Sequence, residues 1–166
     1  MKKVSMAILA AVLVTGFAFA GTPDNGANKV SYFALRSFYT NFGDIPVTQW
    51  QSDAAYDKAI FTQDGIVLTA YFSKEGELIG TTHEMSYAQL PLAAQKFITK
   101  KYGADSIEKI LDYDDNEASD ATLNMFGAAT EDSDNYFVML KDKNDKNIVL
   151  EVSHAGEVSF FTTVKS

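Results

Sequence analysis

The sequence predicts an α+β fold, a single antiparallel sheet with both helices on one face. Three observations carry that expectation. A helix followed by four strands can be read twice along the chain. The stretches Phe72-Ser73-Lys74-Glu75-Gly76-Glu77-Leu78 and Val152-Ser153-His154-Ala155-Gly156-Glu157-Val158 repeat one pattern: an apolar residue, Ser, two turn residues, Gly-Glu and an apolar residue. Each lies between runs rich in β-branched and aromatic residues, so each reads as a hairpin in which Gly supplies the freedom the turn needs. Gln63-Asp64-Gly65 is a further hairpin signal.

The elements follow in order. Residues 1–20 read as an export signal, with Lys2 and Lys3, an apolar run over 6–14 and the small-x-small site Ala18-Phe19-Ala20. That run is short for a membrane span. The mature chain, 21–166, is the length of a single domain, built of two repeats at about 29–85 and 86–164. Val30, Phe33, Ala34, Phe38 and Phe42 recur at helical spacing, and Gly43 stops the helix. Residues 47–53, with the only tryptophan, then 56–62, 66–73 and 77–85 read as a four-stranded meander. Ser86 to Gln89 has capping-box spacing and Leu90-Pro91 opens the second helix, whose stripe is Ala94, Phe97, Ile98 and Tyr102, with Gly103 as its stop. Residues 107–113, 136–141, 147–153 and 157–164 read as the second set of strands. Between them, residues 114–134 form an acidic excursion that reads as too polar for the core.

Some of these residues resemble the PepSY-like proteins, exported proteins common in Bacteroidetes. The resemblance rests on Phe38-x-x-x-Phe42 followed by Val47-x-x-Trp50, on Asp64-Gly65, on Ala70-Tyr71 with Gly76, and on Leu90-Pro91 leading to Tyr102. Tyr136-x-Val138-x-Leu140 and Gly156-x-Val158 also match. The family is similar to the β-lactamase-inhibitor-protein fold, so the resemblance implies tandem helix-plus-sheet units and a binding role. The excursion at 114–134 departs from the family pattern.

Composition excludes several functions. The chain has 14 basic and 22 acidic residues and a net charge of −8, and loss of Lys2 and Lys3 makes the mature product more acidic still. Such a surface repels phosphate backbones and anionic lipid, which argues against nucleic-acid partners and against a membrane after signal cleavage. With no cysteine there is neither a disulfide nor a lipoprotein anchor. Two histidines, one arginine and no serine in a nucleophile-elbow context point away from an enzyme. His83-Glu84-Met85-Ser86-Tyr87 begins like a metalloprotease signature, but Tyr87 stands where the second His belongs. His154 occupies the turn position that Lys74 holds in the first copy.

Two sites remain. Asp112, Asp114, Asn116 and Asp120 place oxygen ligands as the early part of a calcium loop does, with Glu131, Asp132 and Asp134 nearby. Glu117 stands where such loops need Gly. Strand parity defines the second site: if Val138, Leu140, Ile148, Leu150, Val152, Val158 and Phe160 face the helices, then Thr69, Tyr71, Ile79, Thr81, His83, Phe137, Met139 and Phe161 share the outer face. That face is either an open recognition surface, or an ordinary half-wet face, or one covered by the acidic excursion or by a second copy. A mixture of aromatics, Met, Thr and few charges suits protein recognition. The expectation is an exported, non-enzymatic binding module, periplasmic or secreted. It would act on a protein or peptide of the cell envelope, as an inhibitor for example, and would need no cofactor. The alternative is a calcium-responsive protein using the 112–120 loop.

Overall fold

The computed structural model describes residues 25–131 and 133–164. The export signal and Asp132 lie outside the described residues. Helix α1 (Tyr32–Phe42) leads into β1 (Val47–Ser52), β2 (Asp57–Gln63), β3 (Ile66–Phe72) and β4 (Leu78–Glu84). Helix α2 (Leu92–Lys101) leads into β5 (Ile107–Asp115), a two-stranded hairpin of β6 (Asn124–Met125) and β7 (Ala128–Ala129), then β8 (Asn135–Lys141), β9 (Asn147–Ser153) and β10 (Val158–Thr163). Eight of the strands form one antiparallel sheet in the order β1-β2-β3-β4-β5-β8-β9-β10. The α+β class and the element order agree with the sequence reading. The capping box at Ser86 is present, but it closes a short 3-10 turn at Tyr87–Gln89, and α2 starts only after Pro91.

Both helices lie on one face. Phe38 of α1 packs its ring against Trp50, Phe61 and Phe72, with centroids 5.5, 5.0 and 6.5 Å away. Ala94 and Ile98 of α2 pack with Ile110, Val138, Leu140, Leu150 and Val152. A single cross-strand row, Val47–Phe61–Leu68–His83–Asp112–Tyr136–Val152–Val158, runs over all eight strands. Directly opposed residues share a face, so the two helix-covered cores and everything between them lie on the same side.

The repeated turns explain how each helix is placed. In both copies the Ser hydroxyl accepts from the Glu N–H (Glu77 to Ser73, 3.2 Å; Glu157 to Ser153, 3.1 Å). The Gly N–H returns to the Ser carbonyl in both as well, at 3.0 and 2.8 Å. Gly76 and Gly156 have φ of 86° and 87°. Each glycine also forms the floor under a helix start. A Cβ on Gly76 would meet the backbone of Phe33, and one on Gly156 would meet the Cβ atoms of Pro91 and Ala93 at 3.0 and 3.2 Å.

The first seat carries an ion pair as well. Asp57 is buried and accepts from Lys74 Nζ at 2.8 Å, Ser52 Oγ at 2.6 Å and the Ser31 N–H just ahead of α1 at 2.9 Å. Burial alone would raise this carboxyl's pKa, but the Lys74 ammonium, the Ser52 hydroxyl and the Ser31 N–H outweigh it and hold it below its ordinary value.

The outer face departs from the open reading. The excursion is not a solvated loop but the cover of that face. Leu123 and Met125 are buried with Ile79, Tyr113, Phe137 and Val149, and Phe126 and Ala121 pack beside them. Leu123, Met125 and Phe126 sit in and around the β6–β7 hairpin and pack on the sheet, and the buried Thr130 donates its hydroxyl to the Leu123 carbonyl at 3.0 Å. The open face inferred from parity is therefore closed at its centre. Phe160 is the converse case. It pairs with Leu150 on the helix side, yet it is 61% exposed, because it lies on the edge strand.

Two outcomes test this account. Gly76→Ala should lose about 2 kcal/mol or more in chemical denaturation, from positive φ plus a backbone collision, and more than Gly156→Ala, whose obstacles are side-chain methyls. Lys74→Ala strands a buried carboxylate and should cost about 3 kcal/mol at pH 7. Because Asp57 has a depressed folded pKa, its contribution is present above its ordinary value of 3.8 and fades as pH falls through the folded value. The difference between parent and Lys74→Ala should therefore shrink below about pH 4, as acid-titration midpoints would show.

Candidate functional site

The cross-strand row begins and ends in apolar side chains, but its centre is His83 and Asp112. Each helix covers only its own half of the sheet, and the strip between them is bare. There a groove of about 280 Å3 is lined by Ile66, Leu68, Thr81, His83, Asp112, Asp114 and His154, with Gln63 and Asp64 at the β2–β3 turn. It continues toward Phe42, Leu78 and Asn116.

This placement corrects two residues of the parity-based site. Thr81 and His83 were expected on the outer face with Tyr71 and Ile79. A bulge between β3 and β4 lies between the pairs Tyr71–Gly80 and Phe72–Leu78, leaving Ile79 as the extra residue. Beyond it every side chain of β4 changes face. Thr81 then opposes Ala70 and Asp114, and His83 opposes Leu68 and Asp112, all on the helix side. Thr82 turns outward instead and is buried beside the Tyr71 hydroxyl, 3.4 Å from its Oγ1. The sequence carried a signal for this: Gly80 lies inside a strand. A Cβ there would strike the Tyr113 ring and the Asp114 carbonyl, both 2.7 Å away.

The other parity-assigned residues do lie on the outer face, but as core. Ile79 and Phe137 are buried under the excursion, and Met139 and Phe161 pack at its margin, with the Phe137 and Phe161 rings 4.8 Å apart. Thr69 and Tyr71 are half-buried. The calcium set does not converge. Asp112 and Asp114 face the groove, whereas Asp120 lies in the excursion beside Asp115 and Glu131. Asn116 donates its side-chain amide to the Leu78 carbonyl at 2.6 Å, a structural contact. Among the described residues no group of three or more His, Asp or Glu side chains is placed to hold a metal ion.

The electrostatics of the groove are unbalanced. His83 Nε2 lies 3.9 Å from Asp112 Oδ2, and each side chain is about a quarter exposed (26% and 25%). Burial raises the Asp112 pKa above its ordinary value. The two histidines oppose that, and Asp114 and Asp134 reinforce it. Asp114 is raised in the same way, by burial and then by Asp134. His154 stacks on Tyr136, with centroids 4.7 Å apart, and forms one border. Among the described residues no lysine or arginine lines the groove.

A raised folded pKa reverses the usual acid behaviour. The neutral carboxyl is the form the fold favours, so its contribution is present below 3.8 and lost as pH rises through the folded value. Asp112→Asn should therefore melt higher than the parent at pH 7. The gain should vanish by about pH 3, where Asp112 is neutral in both states.

Comparison with known proteins gives the fold a context. No family model matches the sequence, and no curated protein matches it. Solved structures do. A BLIP-like protein from Bacteroides fragilis superposes with a TM-score of 0.62 at 16% identity, over 82% of this chain and 88% of that one. A DUF2874 family protein from Bacteroides uniformis gives 0.62 at 12% identity, covering 81% and 90%. A protein from Bacteroides eggerthii, provisionally described as periplasmic, gives 0.61 at 12% identity, covering 81% and 88%. At such identities the likeness concerns the fold. Among the described residues no helix is long and apolar enough to cross a membrane.

Proposed function

We propose that the chain is an exported, non-enzymatic binding module that holds a protein or peptide of the cell envelope in the groove between its two helical units. The observation that carries this reading is the pair of carboxylates on the bare central strip, half-buried Asp112 and exposed Asp114, in a groove that no lysine or arginine of the described residues lines. Burial disfavours the charged forms of Asp112 and Asp114, and perturbed carboxyls gathered in a recess are characteristic of sites in use.

The binding reading has further support. The fold resembles that of a BLIP-like protein, and a structural neighbour is described, provisionally, as periplasmic. A catalytic reading finds little to use. His83 and Asp112 are 3.9 Å apart, longer than the hydrogen bond with which a base is oriented. The one hydroxyl lining the groove beside them is that of Thr81. Inhibition of an envelope enzyme is one form such binding would take.

Immobilised protein incubated with periplasmic extract, beside an Asp112→Asn/Asp114→Asn double variant, tests the proposal. The intact groove should retain a discrete partner that the variant loses, while both melt as folded proteins. Retention of the same proteins by both would place the binding surface elsewhere.

A further inference from the structure

We infer that the groove receives the cationic side chain of a basic segment, a lysine or an arginine carried by the partner; this rests on the groove being the binding site. The warrant is chemical complementarity along the groove. Ile66 and Leu68 give one end an apolar wall, which suits the aliphatic stem of a long cationic side chain. Asp112 and Asp114 stand at the other end. They are alternate residues of one strand, so both project to the same face about 7 Å apart, a spacing that brackets one cationic head. At the border, His154 and Tyr136 form a stacked pair, with ring faces of the kind over which a guanidinium or ammonium settles.

Nothing within the described chain supplies that cation. Among the described residues no lysine or arginine lines the groove, and the charged neighbours of Asp112 and Asp114 are His83, His154 and Asp134. Contrast Asp57, whose buried carboxylate is matched by Lys74 at 2.8 Å. The same chain thus satisfies its buried aspartate with its own lysine and leaves the two groove aspartates for a group from outside. A bound cation would also offset the burial and the carboxylate repulsion that raise the two aspartates.

The test uses the full mature chain, isotope-labelled, titrated with Nα-acetylarginine amide, Nα-acetyllysine amide and the neutral isostere Nα-acetylcitrulline amide. The two cationic probes should shift the backbone amides of Thr81, His83, Asp112 and Asp114, and citrulline should bind at least about ten-fold more weakly. Raised salt should weaken the cationic probes and leave citrulline unchanged. Asp112→Asn/Asp114→Asn should abolish the shifts while its spectrum remains that of the folded protein. Equal shifts from citrulline, or shifts that map away from these residues, overturn the inference. If that happens while the double variant still loses its captured partner, the groove stands as the site and only the cation is wrong. If the variant captures the partner unchanged, the site itself falls, and the inference with it.

Discussion

The architecture depends on where each helix is allowed to start. A glycine turn at the far end of each half, Gly76 under Phe33 and Gly156 under Pro91 and Ala93, fixes the helix N-terminus at contact distance from the sheet. A helix of 10 or 11 residues laid down from that point is about 15 Å long, and an eight-stranded sheet is roughly twice as wide. Two short helices seated in this way cover two separate patches. The uncovered strip between them is a geometric remainder, and the polar centre of the cross-strand row shows how the sequence adapts to it. Where a helix sits above, the row is Phe61 or Val152. Where none does, it is His83 and Asp112.

Much of this can be read from the residues. Helical spacing in Phe38 and Phe42, the Asp64-Gly65 hairpin and the duplicated Ser-x-x-Gly-Glu turn determine the order of elements, because each is a local signal with a local cause. The faces of β8 and β9 also follow from alternation. What failed was long-range. Alternation assumes an unbroken ladder, and the bulge at Ile79 moves Thr81 and His83 to the opposite side. The bulge in the last strand sits at a different point in each repeat, at Ile79 in one and at Phe161 in the other, so aligning the copies could not reveal it. The excursion was misread for a different reason. Its average polarity is high, but burial is decided residue by residue, and Leu123 and Met125 are enough to seat it. The sequence singles out Thr81, His83, Asp112 and Asp114 but divides them between two sites, because the groove draws its members from β3, β4, β5 and the β9–β10 turn, which no sequence spacing connects.

The two acidic centres show how differently one side chain type can be used. Asp57 ties the start of α1 to the turn beneath it through three donors, so its charge supports the fold. Asp112 and Asp114 have the histidines His83 and His154 as neighbours but no lysine, and they face a recess. Position on the sheet accounts for the difference: Asp57 lies beneath a helix seat, and the others lie on the strip no helix reaches.

The strand order has a consequence for how the chain reaches this structure. Neighbours in the sheet are neighbours in the chain everywhere except between β5 and β8, where the excursion intervenes. Most of the ladder can thus zip by successive hairpins, each closing a short loop at small entropic cost, which favours rapid folding for so large an antiparallel sheet. The β4–β5 and β5–β8 pairings are the slow steps in such a scheme, since they close the two long connections, residues 85–106 with α2 and residues 116–134. The hairpin of β6 and β7 within the second of these shortens the span left to be ordered, so the segment that shields the outer face also serves the kinetics of assembly.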